Sequence, residues 1–283
     1  CSVTVKCKHN AIVHYRAYDL ANRPIDKITR AELLNWRHKL SEMQFSTCTK
    51  NEAIQLVRST FRFASEIYAY QNHGIILKRF KMTKEEEMHE MAVWTPEQFQ
   101  QFLNAIPSSE HVYYVYFEML FWTGLRRGEG IALQINDLSD DGMLYVHASQ
   151  RNRTEGRKTT KTRQNRRIAV DSSMLQNLLE IKKHSEGPYL FGGAEPLAPT
   201  TIDRVFRIAT KAAGLPRIRL HDLRHSHATW LINNNVNIVA VSKRLGHANI
   251  EQTLKTYTHL LGESNEQLLD KLNEKHKKVA RAI

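Results

Sequence analysis

Four short segments in the second half of this 283-residue chain carry side chains suited to one kind of chemistry. In Thr123-Gly124-Leu125-Arg126-Arg127-Gly128-Glu129, a helical apolar pattern (Phe117, Leu120, Phe121) runs into a glycine that permits a tight turn, which presents the next side chains at a helix edge. Lys158-Thr159-Thr160-Lys161-Thr162-Arg163 falls in a turn between two strand candidates. His221-Asp222-Leu223-Arg224-His225-Ser226-His227 places His221 and Arg224 three apart, on one face if helical. Leu245-Gly246-His247 is followed, ten residues on, by Tyr257.

Two arginines, a lysine, two histidines and a tyrosine form a set for breaking a phosphodiester without metal. The pentavalent transition state carries more negative charge than the diester, and two guanidiniums clamp its non-bridging oxygens more tightly as that charge develops. A tyrosine hydroxyl, with an ordinary pKa of about 10, attacks only once it is positioned and relieved of its proton. The departing deoxyribose oxygen needs a proton donor, which a lysine on a turn can supply. No carboxylate pair suited to metal accompanies the set. The histidines at 221, 225, 227 and 247 come without a His-Glu-x-x-His motif or a cysteine ligand pair. Neither a metal nor a cofactor is therefore expected. Glu129 reads as a partner that orients its neighbours, and Arg127 as a surface or DNA-backbone contact.

The elements that must position these residues divide the chain. Capping boxes open helices at Thr29-Arg30-Ala31-Glu32 and at Thr95-Pro96-Glu97-Gln98. Leu33, Trp36 and Leu40 follow the first at helical spacing. A second helical run over about 49–70 puts Ala53, Ile54, Val57, Phe61, Ala64 and Ile67 on one face, interleaved with Lys50, Arg58 and Arg62. Residues 1–84 thus read as a small basic helical domain, 85–93 as a polar linker, 94–261 as the chemical domain and 262–283 as a tail helix with a leucine stripe. In the chemical domain 143–147 and 166–170 are strand candidates flanking the basic turn. Helices are expected at 173–183, 200–213, 221–233, 238–245 and 250–261.

Composition bounds the class. Hydrophobic residues at 41% and charged residues at 25% are globular values. The longest apolar stretch, Val112 to Trp122, is interrupted by Glu118 and is too short to span a bilayer. Three cysteines without a CxxC pair suit a reducing interior rather than a disulfide framework. The net charge of +12 is uneven: residues 1–84 hold 15 basic and 6 acidic side chains, 15 − 6 = +9. Arg151 to Arg167 holds 8 basic and one acidic, 8 − 1 = +7. Such an excess suits a polyanion, above all nucleic acid.

In this order and spacing, Thr-Gly-Leu-Arg126-Arg-Gly-Glu, Lys161-Thr, His221-Asp-Leu-Arg224-His, Leu-Gly-His247 and Thr256-Tyr257-Thr-His resemble the tyrosine site-specific recombinases of the phage integrase family. The resemblance is firm over 94–261 and general over 1–84, where the family has a basic helical core-binding domain. It implies a mainly α fold with a small antiparallel β-sheet in an α+β catalytic domain, the two domains forming a C-shaped DNA clamp. By the same resemblance Arg126 and Arg224 would hold the scissile phosphate, with His247 supporting the same oxygens. His221 would hydrogen-bond the phosphate or take the tyrosine proton. Lys161, with Lys158 as the alternative, would be the general acid for the 5′-hydroxyl. Tyr257 would attack to leave a 3′-phosphotyrosine link that is reversed without ATP.

The implied partners are double-stranded DNA at attachment or recombination sites, a homotetramer in the synaptic complex, and accessory directionality and DNA-bending proteins. No membrane is expected, and the location is the nucleoid-bearing bacterial cytoplasm. The tail after Leu261 would dock on a neighbouring protomer or on its own domain. Starting at Cys1, the chain reads as the ordered part of a longer protein. That reading points to the integrase of a prophage or conjugative transposon, a kind that in this family often carries an arm-binding domain upstream. A chromosome-dimer or plasmid resolvase of the same family, and a type IB topoisomerase, are the alternatives.

Overall fold

A computed structural model describes residue 20 and residues 23–82, 92–154, 156–159 and 165–257. The chain divides into two compact units, Cys1–Glu90 and Met91–Ile283. Residues 85–91 of the expected linker, the tail after 261 and Lys161 itself lie outside the described residues.

The first unit is helical. Helix α1 (Arg30–Glu42) opens on the expected box: the Thr29 side chain accepts from the Glu32 amide, and the Glu32 carboxylate accepts from the Thr29 amide. Its apolar face of Leu33, Trp36 and Leu40 is buried against Ala53, Ile54, Val57 and Phe61 of α2 (Thr47–Tyr68). Helix α2 starts two residues earlier than its pattern suggests because Ser46 caps it, and it ends in left-handed Ala69. Ile67, placed on the buried face by spacing, is 60% exposed, since the apolar face of α2 leaves the core after Ala64.

The second unit is built round α4 (His111–Thr123), which is apolar on most of its circumference and accordingly buried. Around it pack α3 (Pro96–Asn104), α5 (Arg127–Ala132), α6 (Ser172–His184) and α8 (Asp222–Asn233). Helix α7 (Pro199–Ala212) packs on α3. An aromatic cluster fills the centre: the rings of Phe99 and Phe121 stack 3.9 Å apart, and Trp94 lies on Phe206. Burying each such ring contributes on the order of 1.5–3 kcal/mol. The Trp94 amide donates to Ser226 Oγ at 2.9 Å, tying the start of the unit to α8.

The β patch is two separate two-stranded antiparallel ribbons. Strand β1 (Met143–Val146) pairs with β4 (Arg166–Ala169), with Leu144 opposite Ile168, both buried. The short β2 (Ala148–Ser149) pairs with β3 (Lys158–Thr159), which splits the single sheet expected from sequence. An ionic cluster ties the chain just before β3 to the 3-10 turn Ile135–Asp137. Arg157 and His147 both reach the Asp137 carboxylate at 2.9 Å, and Arg157 also bonds Gln134. The unit closes with α9 (Ile238–Leu245) and α10 (Ile250–Tyr257). Among the described residues no helix is long and apolar enough to cross a membrane.

Candidate active site

The site is organised by two helix ends. Helices α4 and α9 stop at glycines in left-handed conformation, Gly124 (φ 67°) and Gly246 (φ 68°). No other residue fits easily there. A Cβ on Gly124 would lie 2.8 Å from both His227 and Leu245, and one on Gly246 would lie 2.7 Å from Arg166. The last carbonyls of a helix have no partner within it and carry its partial negative charge, so they suit cations. Arg224, on the first turn of α8, uses both: Nη1 donates to Gly124 O and Nη2 to Leu245 O, each at 2.7 Å. The residue is 3% exposed. Burial, then the neighbouring Arg126, pushes its guanidinium down to about 9, so it remains a cation at neutral pH.

Arg126 caps α5, its backbone amide donating to Glu129 Oε2 and its Nη1 to Oε1, both at 2.9 Å. Its Nη2 reaches Gly246 O at 3.5 Å. Glu129 is buried and also takes two bonds from Arg166 of β4, at 2.7 and 3.2 Å. Burial would raise this carboxyl, but the Arg166 bonds and charge, with Arg126 adding, hold it below the usual range. Glu129 therefore fixes two guanidiniums, the orienting part its position suggested. Arg127 points away from this cluster and pairs with Asp203 at 3.0 Å.

Three imidazoles and the phenol complete the set. His221 caps α8 with an exposed edge; desolvation of the rest of the ring, then His225 and Arg224, hold its pKa down to about 4. His247 follows the Gly246 turn, and its Nδ1 shares a 2.6 Å hydrogen bond with Thr253 Oγ1 of α10. Burial, then Arg224 and Arg126, push it down to about 4. Both rings are neutral at physiological pH and keep a nitrogen that can donate. Tyr257, at the end of α10, packs its ring on Ala228, Ile232, Val241 and Leu245 and is 2% exposed. Burial raises its phenol pKa, opposed by Arg224. Its hydroxyl lies 2.7 Å from His225 Nδ1.

The structure thus gathers Arg126, His221, Arg224, His247 and Tyr257, drawn from three of the four segments, while Lys161, of the remaining one, lies outside the described residues. Lys158, the alternative, is exposed on β3. Sequence reasoning passed over Arg166, Arg244 and His225. Arg244 donates to Trp122 O and to His227 Nε2, at 2.9 and 3.1 Å, so it braces the same two helix ends. Its place in the last turn of α9 was the available signal. Among the described residues no group of three His, Cys, Asp or Glu side chains is arranged to hold a metal ion.

A mainly helical unit with small antiparallel ribbons, collecting cations and a buried phenol at two helix ends, has the build of a tyrosine recombinase. The chain belongs to the phage integrase family, which it matches over residues 92–263. It is 29% identical to the ICEBs1 integrase of Bacillus subtilis (strain 168) over 270 residues, 88% of this chain and 72% of that protein. It is 25% identical to the integrase of Staphylococcus phage L54a, covering 89% of this chain and 81% of that one. Its fold is similar to the Tn1549 transposon integrase in complex with a circular intermediate DNA, with TM-score 0.79 at 20% identity over 97% and 94% of the two chains. A lambda integrase dimer bound to a COC′ core site matches with TM-score 0.68 at 20% identity, over 93% and 88%.

Proposed function

We propose that this tyrosine recombinase is the site-specific integrase of a mobile element, cutting and rejoining double-stranded DNA through a 3′-phosphotyrosine link, without metal or ATP. The observation that carries the reading is Arg224, buried between two helix ends beside Arg126 and near the Tyr257 hydroxyl. Arg126 and Arg224 hold the scissile phosphate, and His221 and His247, neutral, donate to its oxygens. Tyr257 attacks phosphorus, and Lys161 protonates the leaving 5′-oxygen. As charge builds on the phosphoryl group the two fixed guanidiniums bind it more strongly than the ground state, which is the source of rate.

Residues 1–84 form the core-binding domain, 85–93 the linker and 94–261 the catalytic domain. In the first unit Arg58, Arg62 and Arg79 line a hollow of about 430 Å³ with Gln55 and Asn72, suited to a DNA phosphate. The chain works as a tetramer on DNA, with tail 262–283 exchanged with a neighbouring protomer or packed on its own domain; a lambda integrase tetramer has been solved on a Holliday junction. Directionality and DNA-bending proteins join it on DNA in the bacterial cytoplasm. The relatives named for an integrative element and a phage favour integrase over resolvase.

The test is a nicked suicide substrate carrying the element's recombination site, incubated in EDTA. A covalent protein–DNA adduct is expected from the wild type and none from Tyr257→Phe. An adduct that survives Tyr257→Phe, or one abolished by EDTA, defeats the assignment.

A further inference from the structure

We infer that His225, rather than His221, is the group that accepts the proton of Tyr257 when the tyrosine attacks; this rests on the function proposed above. The contact is direct, 2.7 Å from Nδ1 to the hydroxyl oxygen. A phenol that keeps its proton must place it on an acceptor. With Tyr257 2% exposed, water is a poor one, and among the described residues His225 Nδ1 is the hydrogen-bond partner of that hydroxyl. His221 stands one step back, its ring centred 5.1 Å from that of His225 and roughly perpendicular to it.

The charges around His225 suit the task. On its own helix Asp222 raises its basicity, while Arg224 and, just upstream, Arg219 lower it; His221 lies beside it. Tyr257 faces it from α10 and His247 from the turn before α10. Burial first, with Arg224 and Arg219 adding and Asp222 opposing, holds its pKa below the usual imidazole value, and Nδ1 is placed to accept the phenol proton. Arrival of a phosphodiester beside Arg224 brings a negative charge that raises the basicity of the imidazole as the phenol begins to react.

The step balances. The Tyr257 Oη lone pair forms the bond to phosphorus, the P–O5′ pair departs with the 5′-oxygen, and that oxygen takes a proton from Lys161. The phenol proton passes to His225 Nδ1, giving an imidazolium. On rejoining, the 5′-hydroxyl returns its proton to the lysine, the Oη–P bond breaks, and His225 returns its proton to Oη.

Two variants and two substrates test this. His225→Ala removes the acceptor; His225→Asn can still hydrogen-bond the hydroxyl but cannot hold a proton at neutral pH. Both are expected to slow adduct formation on the suicide substrate by about 10²-fold, the typical worth of a positioned base. Imidazole in the buffer should partly restore His225→Ala. The rate of that variant should climb about tenfold per pH unit over roughly pH 7 to 9, where the wild type is flat.

The second substrate is an oligonucleotide ending in a 3′-p-nitrophenyl phosphate, joined to a 5′-hydroxyl strand. Its leaving group needs neither Tyr257 nor a returned proton, so both variants should join it within about threefold of the wild type. Wild-type cleavage rates for His225→Asn would overturn the assignment, and so would a joining rate that falls as far as cleavage, which marks a merely structural role. A wild type that forms no adduct but is well folded removes the underlying function, and this assignment with it.

Discussion

His227 gives the second unit a pH dependence that follows from its surroundings. The ring is 1% exposed, beneath Gly124. Its Nε2 accepts from Arg244 Nε at 3.1 Å, and its buried Nδ1 has no hydrogen-bond partner. Protonation would set a buried cation against Arg244 and Arg224. Burial first, and then those two charges, push the pKa from 6.5 to about 3. Between these values the unfolded chain binds a proton that the folded one refuses. Stability from this residue is therefore complete above pH 6.5 and is lost as pH falls toward 3. At pH 5 the loss relative to pH 7 is about 2 kcal/mol, from 1.36 kcal/mol per pK unit over roughly 1.5 units.

The assay is urea unfolding at pH 7 and pH 5, followed by tryptophan fluorescence. A Trp36→Phe background leaves Trp94, Trp122 and Trp230, all in the second unit. That change is mild, because the Trp36 indole nitrogen is buried without a partner. His227→Gln keeps an acceptor for Arg244 and cannot titrate. The parent should lose about 2 kcal/mol more than the glutamine variant between the two pH values. His221 and His247 act in the same direction but are common to both proteins, so they cancel in the comparison. Equal losses in parent and variant would refute the reasoning.

Two further changes reach the same site, and a third the first unit. Glu129→Ala strands Arg166 and frees Arg126; it should cost about 3–5 kcal/mol in urea unfolding and abolish adduct formation. Gly124→Ala combines a left-handed backbone with contacts of 2.8 Å to His227 and Leu245, and a loss of about 2–4 kcal/mol is expected by the same measurement. Arg58→Ala, in the hollow of the first unit, should weaken DNA binding and reduce the slope of log K against log salt by about 1 in a fluorescence-anisotropy titration.

Local signals made much of this visible in the sequence. Both capping boxes form as their spacing suggests, at Thr29 and Thr95, because the bonds that define them span three residues. Helix α9 occupies 238–245 as expected, its end fixed by a glycine that only a left-handed turn requires. What stayed hidden is long-range. Arg166 meets Glu129 across 37 residues and Arg244 O across 78, and a basic residue in a basic turn carries no mark of either partner. His225 looked like one of several histidines, because its contact with Tyr257 depends on how α8 and α10 pack. The second ribbon stayed hidden for a similar reason, since its strands of two residues each fall in the stretch read as a turn. Alternation locates strands, but pairing is decided by Leu144 meeting Ile168 in the core and by the Arg157–Asp137 anchor on the other ribbon.

The charge of the site follows from its use of helix ends rather than carboxylates. Four guanidiniums, on Arg126, Arg166, Arg224 and Arg244, converge where α4 and α9 stop. Within that cluster Glu129 is the carboxylate bonded to them, so four cations against one anion leave a net of 4 − 1 = +3. Their remaining bonds go to backbone carbonyls of Trp122, Gly124, Ala169, Arg244, Leu245 and Gly246 and, from Arg244, to the ring nitrogen of His227. A carboxylate partner would hold a guanidinium in place but also cancel its charge. A carbonyl at a helix end holds it with a partial charge only, and satisfies a backbone group that would otherwise lack a partner. Desolvated arginines can thus be fixed in geometry and still present an unspent positive field to a phosphate. The same logic explains why the two glycines matter to chemistry as well as to chain direction. Each ends a helix so that its carbonyls point at a guanidinium, and moving either end would take from Arg224 one of the two carbonyls that hold it.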